Sequence, residues 1–381
     1  MKKNLLLWVS GLLISTNLLA QRVDLDRFYV DVMYQKLPLE PVTQDQRSYG
    51  IHVKTGGAVL SYASAESLYD RVVLHGWKRV EQTPTVGIDL KLEDFTELGS
   101  SVETRVVETK DLSGKVTSTK VTYYALARYA SRGNAQISGP RAPVVPTAKE
   151  LEQQAKKAEA ISTNRFLKNV AVPKTDIAQP TGPVVLSFSK NIEYKSQDYA
   201  DSKEAGLAFS NNKAAIYSQQ LRQFVDDAIN TTNDRVNELY GFEPVTTKEL
   251  FWILDSKSEE GSVQKEAIYA VKTLFATTRP AEPITELKES IKPLIEYFDS
   301  LKAKYPSDDK AGRKMRYSCF YNLAKIYLLT DEPEKAVREA EGLIANDYDA
   351  KDGENIRLVS QQLLAEFERA KTRTCHNASL N

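Results

Sequence analysis

Few side chains in this chain of 381 residues have the type and spacing to do chemistry. Its three histidines, His52, His75 and His376, lie in separate regions, and none stands at metal-ligand spacing from another His or Cys. Cys375 and His376 are adjacent, a geometry rarely used for two ligands of one ion. The run NDYDAKDGE (346–354) carries Asp347, Asp349, Asp352 and a glycine, but it is too short for a calcium loop and reads as a polar connector. No nucleophile elbow, zinc-protease helix or phosphate cradle is present. A two-carboxylate hydrolase leaves little trace in a sequence, and Glu193, Asp198 and Asp255 in the middle of the chain are the candidates for one. No catalytic residue, cofactor or metal site is therefore expected.

The two cysteines, Cys319 and Cys375, leave two readings open. A disulfide between them, formed in an oxidising compartment, would stabilise by about 4 kcal/mol in the chain-entropy model. Alternatively both are unpaired thiols, Cys319 sharing the buried helical face of Leu323 four residues later.

Lys plus Arg and Asp plus Glu number 51 each, so no net field favours nucleic acid or an anionic membrane. The chain opens with Lys2 and Lys3, an apolar run LLLWVSGLLI and a small Ala20 before Gln21. That is the pattern of a bacterial signal peptide cleaved after Ala20, and no later segment is long enough to span a membrane. The expected location is outside the cytoplasm, in the periplasm or the outer cell envelope.

The elements predict an α+β protein with a β-rich N-terminal domain, a mixed α/β middle region and an all-α C-terminal region. Residues 21–137 hold the strand signals FYVDVMY (28–34), RSYGIHVK (47–54) and VGIDLKLEDF (86–95). They also hold a hairpin turning at Asp111–Gly114, and one helix capped by Ser64. Residues 138–180 read as a proline-rich and polar linker. In 181–260 a strand at 184–194, a long helix ending near Gly241 and a strand at 251–256 are expected. From 261 to 373 apolar stripes predict helices only, one of them running unbroken from Ile284 to Leu301. The last residues, 374–381, read as a disordered tail.

The stretch YNLAKIYLLTDEPEKAVREAEGLI (321–344) bends two helices about a Thr-Asp-Glu-Pro turn. With Phe320, Leu323, Ala324, Tyr327 and Ala336 at matching separations, it resembles a degenerate tetratricopeptide repeat. Asp331 stands at the family's turn glycine, Pro333 at its usual aromatic, and Ala340 where a large residue is expected. Upstream, IKPLIEYFDSLKAKYP is similar to the second helix of a preceding repeat, and 354–371 suits a solvated terminal cap. The resemblance covers about residues 262–372 and implies a concave strip lined by Ser318, Tyr321, Asn322, Lys325 and Leu328. Such a strip would hold an extended peptide by stacking, a backbone hydrogen bond and a carboxylate contact.

The expected function is a non-catalytic exported interaction scaffold whose partners are other envelope proteins or extended peptides. Two alternatives stand beside it: a glycan- or surface-binding module through a sheet rich in tyrosine (Tyr123, Tyr124, Tyr129), and the hydrolase above.

Overall fold

The computed structural model describes residues 24–141, 182–254 and 259–378. The signal segment, residues 142–180 of the linker, and Asp255 lie outside the described residues. The fold is α+β, strand-rich first and helical last, as the periodicities predict. It divides into two compact units, and their boundaries differ from the expected domains.

The sheet unit comprises Gln35–Pro244 with Phe367–Asn381. Its strands are β2 (Ser48–Thr55), β3 (Lys78–Arg79), β4 (Val86–Lys110), β5 (Val116–Ser138), β6 (Val184–Ser187) and β7 (Lys190–Lys195), in the order β3-β2-β4-β5-β6, with β7 also on β5. β2 runs parallel to β3 and β4, and the remaining pairs are antiparallel. Two short helices, α1 (Gly57–Leu60) and α2 (Ala65–Arg71), follow β2, and the Ser64 hydroxyl accepts the Ser67 N–H as the sequence predicts. The single strand expected at 184–194 is two strands. The chain breaks at Phe188, which is buried, and the Ser131 hydroxyl lies 3.0 Å from Phe188 O and 3.2 Å from Lys190 O across the gap.

Helix α3 (Ser202–Tyr240) begins where Asp201 accepts from Lys203 N and Glu204 N. Its Phe209, Ile216, Phe224, Val225, Ile229 and Val236 pack in one core with Ile88, Leu90, Leu92 and Phe95 of β4 and Tyr129 of β5. Phe95 stacks between Tyr129 and Phe224, with ring centres 5.5 and 5.8 Å away. Asn233 and Asn237, one helical turn apart, hold the extended segment after α2. Asn233 accepts from Val73 N and donates to Arg71 O; Asn237 accepts from His75 N and donates to Val73 O, all at 2.7–2.9 Å.

The expected disordered tail is ordered as far as residue 378. Gln35 N donates to Cys375 O at 2.8 Å, and the Gln35 side chain exchanges hydrogen bonds with the backbone of Asn377. His376 is buried with it.

The helical unit comprises residues up to Tyr34 and Val245–Glu366. It takes the first strand of the expected N-terminal domain, β1 (Leu25–Gln35), and the last of the middle region, β8 (Pro244–Leu254), which pair with each other. The cause is apolar: Val30 and Val32 share a core with Phe251, Ile253, Ile268, Val271 and Phe275. The helices are α4 (Glu259–Ala276), α5 (Thr285–Ser290), α6 (Lys292–Lys304), α7 (Lys310–Leu329), α8 (Pro333–Ala345) and α9 (Ala350–Ala370). The stripe from Ile284 to Leu301 is split between α5 and α6 at Ile291, because Pro293 has no N–H and starts a new helix in its first turn.

The α7–α8 hairpin turns on Asp331 at φ +57°, the left-handed backbone for which the repeat family uses glycine and which Asp tolerates. Ala324, Ala336 and Ala340 are fully buried at the crossing, and small Gly342 receives the Phe320 ring. A Cβ on Gly342 would stand 2.4 Å from Phe320 Cε1, so the aromatic ring fills the space beside the glycine. Gly342→Ala is expected to lower stability by about 1–2 kcal/mol in urea unfolding despite its better helix propensity, and Phe320→Leu in the same chain to recover part of that loss.

Candidate functional site

Residues of the strip predicted on α7 pack against a strand of the same chain. Asn322 Oδ1 accepts from Trp252 N at 2.9 Å, and Asn322 Nδ2 donates to Trp252 O at 2.8 Å, so one side-chain amide does for β8 what a neighbouring strand would do. Two residues along the same edge, Leu254 N donates to Gln264 Oε1 at 2.6 Å. Gln264 Nε2 donates in turn to Ser318 Oγ at 2.9 Å, and the Ser318 hydroxyl to Met315 O. Asn322, Gln264 and Ser318 are each fully buried, so every polar group in this relay depends on the others.

The side chains of β8 dock in the same manner. Lys325 forms an ion pair with Glu249, both mostly enclosed. Trp252 lies 6.2 Å from the rings of both Tyr317 and Tyr321, at tilted and edge-on angles, and Arg27 of β1 covers it. Burial and then Asp352, which accepts the Tyr317 hydroxyl, raise the Tyr317 phenol well above its ordinary value, and burial does the same for Tyr321.

Of the five predicted residues, Asn322 bonds the Trp252 backbone, Lys325 pairs with Glu249 and Tyr321 lies against the Trp252 ring, all within this chain rather than toward an external peptide. Ser318 acts through Gln264, and Leu328 is half-buried. The strip is therefore closed to solvent: Ser318 and Asn322 are fully buried and Tyr321 is 8 % exposed.

Sequence reasoning missed Gln264, Glu249 and Trp252. Gln264 had a signal, because it occupies the same helical stripe as Ile268, Val271 and Phe275, and a lone polar residue on a buried stripe implies a buried partner.

The other candidates lie apart. Cys319 and Cys375 are both buried thiols not joined in a disulfide. Cys319 lies on the core face of α7 with its thiol 3.2 Å from Met315 O, and burial pushes that thiol up to about 12. Glu193 is paired with Arg128 at 3.1 Å and Asp198 with Arg105 at 3.0 Å, on the surface of the sheet unit. Tyr129 is core, and Tyr124 lies under Arg105. Asp347 pairs with Arg313, while Asp352 sits in the first turn of α9; among the described residues no group of three acidic, His or Cys side chains could hold a metal ion.

One buried carboxylate braces the unit that carries the strip. Glu260 of α4, 6 % exposed, accepts from Lys304 Nζ at 2.6 Å and from the hydroxyls of Tyr297 and Tyr305 at 2.7 and 2.9 Å. Burial opposes its charge, but these three donors outweigh burial and hold the carboxyl below its ordinary value. A lowered carboxyl pKa gives stability that is complete above the unfolded value, about 4.3, and lost as pH falls through the folded one. Glu260→Gln is expected to flatten the acid limb of a stability–pH curve below about pH 5, measured by urea unfolding.

Asn322→Leu removes both partners of Trp252 while keeping volume. It is expected to cost about 2–5 kcal/mol and to speed hydrogen exchange at the Trp252 amide, with Asn322→Asp, which keeps only the acceptor, falling between. Comparison with protein-family models, with curated protein sequences and with solved structures returns no match to this chain, so its function is read from its own residues.

Proposed function

We propose that the protein is a non-catalytic, exported component of the bacterial cell envelope that works as an interaction scaffold through its tetratricopeptide-like helices. The observation that carries this reading is the grip of Asn322 on both backbone groups of Trp252. It is the chemistry by which an interaction module takes an extended segment, main-chain hydrogen bonds setting affinity and side-chain contacts setting choice. Because β8 fills the strip, an outside partner meets the outer helix faces, where Tyr269 of α4 and Leu358 and Val359 of α9 stand about half exposed. Glu193 and Asp198 are each paired with an arginine. No helix among the described residues is long and apolar enough to cross a membrane.

The test is crosslinking in the native cell followed by affinity capture of the tagged full chain, beside a variant carrying Leu358→Asp and Val359→Asp whose fold is checked by circular dichroism. A set of envelope proteins captured by the natural chain and depleted about tenfold or more from the variant is the expected result, a loss of about 1.4 kcal/mol or more. An empty capture from the natural chain, or an N-terminus still carrying residues 1–20 in the mature protein, overturns the reading.

A further inference from the structure

β4 and β5 stay paired from Gly87 and Ser138 out to Lys110 and Val116, but their outer neighbours stop early. β2 follows β4 only to Leu92, and β7 follows β5 only to Leu126, with one further bridge between Tyr123 and Tyr199. Beyond these points the hairpin is a two-stranded arm. From Leu98 onward the outer edge of β4 has no strand beside it among the described residues. Proteins blunt such edges with bulges and charge. Here register shifts fall at Glu97/Gly99 and Thr109/Lys110, and between them Gly99–Thr109 pairs with Arg128–Ser118 without interruption. The two bulges thus frame one regular stretch, whose central residue is Thr104.

That stretch is complementary to itself. In an antiparallel pair of two copies related by a twofold axis at Thr104, Glu103 faces Arg105 twice and Val102 faces Val106 twice, while Ser101 meets Val107 and Ser100 meets Glu108. A twofold normal to the sheet keeps each side chain on its own face, so only registers centred on a residue are allowed. Moving the axis to Glu103 sets Glu103 against its own copy, and moving it to Arg105 does the same for Arg105. Like charges directly opposite are unfavourable, and between residues of the regular stretch Gly99–Thr109 only the register at Thr104 sets opposite charges against each other.

The side chains are placed for this. Val102, Val106 and Val121 lie on one face of the arm, exposed by 41, 57 and 45 %, and pairing would bring two copies of this patch together. On the other face Arg105 binds Asp198 and lies over Tyr124. Its fork of five donors has capacity left for a second carboxylate. Among the described residues Glu103 accepts the Ser101 hydroxyl and no other side-chain donor.

We propose that the free edge of β4 is a self-association surface, and that two copies of this chain join their sheets antiparallel along Gly99–Thr109 with Thr104 on the axis. This surface lies in the sheet unit and is independent of whatever the helical stack binds.

The test uses the full mature chain. Sedimentation across a concentration series is expected to show reversible dimers, which Glu103→Arg and Arg105→Glu each abolish. Dimers should return when the two variants are mixed, because one copy then presents two arginines to the two glutamates of the other and every facing pair is again of opposite charge. A second arm needs no charge change. Residues opposed across an antiparallel ladder have Cα atoms within disulfide range, so under mild oxidation Thr104→Cys should link two copies about tenfold faster than Leu112→Cys at the exposed arm tip. A chain that stays monomeric throughout, single variants that dimerise like the natural chain, or equal linking at 104 and 112 would each overturn the proposal.

Discussion

A buried strand edge must find partners for its N–H and C=O groups, and this structure meets that constraint with amide side chains carried on helices. Each orphaned backbone group costs about 1–3 kcal/mol when buried, so an extended segment can lie against a helix only where the helix offers paired donors and acceptors. In the helical unit Asn322 and Gln264 serve Trp252 and Leu254; in the sheet unit Asn233 and Asn237 serve the segment from Arg71 to His75. Asn and Gln suit this work because one planar amide both donates and accepts, as a peptide group does. The spacing follows from geometry: alternate residues of a strand point their groups to one side, and residues one turn apart on a helix lie on one face.

The consequence for the helical unit is that its groove is furnished from within. Two helical hairpins are fewer than such arrays need to stand alone. The β1–β8 sheet supplies the missing apolar surface, with Val30, Val32, Phe251 and Ile253 entering the same core as Ile268 and Phe298. Trp252 and its surrounding rings then fix β8 by shape as well as by hydrogen bonds. The strip on α7 is therefore a structural joint within the unit, closed by its own strand.

Much of this was legible in the chain. Strand alternation, the Ser64 cap, the turn at Asp111–Gly114 and the helical stripes are local signals, and the elements formed where those signals lay. The α7 residues Asn322, Lys325 and Tyr321 were singled out from the sequence for an outside partner, but they contact β8 of the same chain. What was illegible was non-local. Nothing in FYVDVMY says that its partner is FWIL, some two hundred residues later and after the whole sheet in sequence, so β1 and β8 were assigned to separate domains. The occupant of the strip was hidden for the same reason, since an extended segment reads alike whether it pairs with a strand or with asparagines. The break at Ile291 was a local error, as Pro293 is itself a signal that the unbroken stripe overruled. The C-terminal segment looked like a tail because its anchor, Gln35, lies at the other end of the chain.

The pairing of β1 with β8 also orders events in time. β1 is made near the beginning of the chain, yet its strand partner and the helices that clamp that partner follow the entire sheet and α3. Until α7 has been made, Val30, Val32 and an open strand edge have nowhere to go. Contacts this distant in sequence close slowly, and edges left waiting invite wrong pairing. Among the described strands β1 is thus made first and paired late, and during that interval its edge stays open.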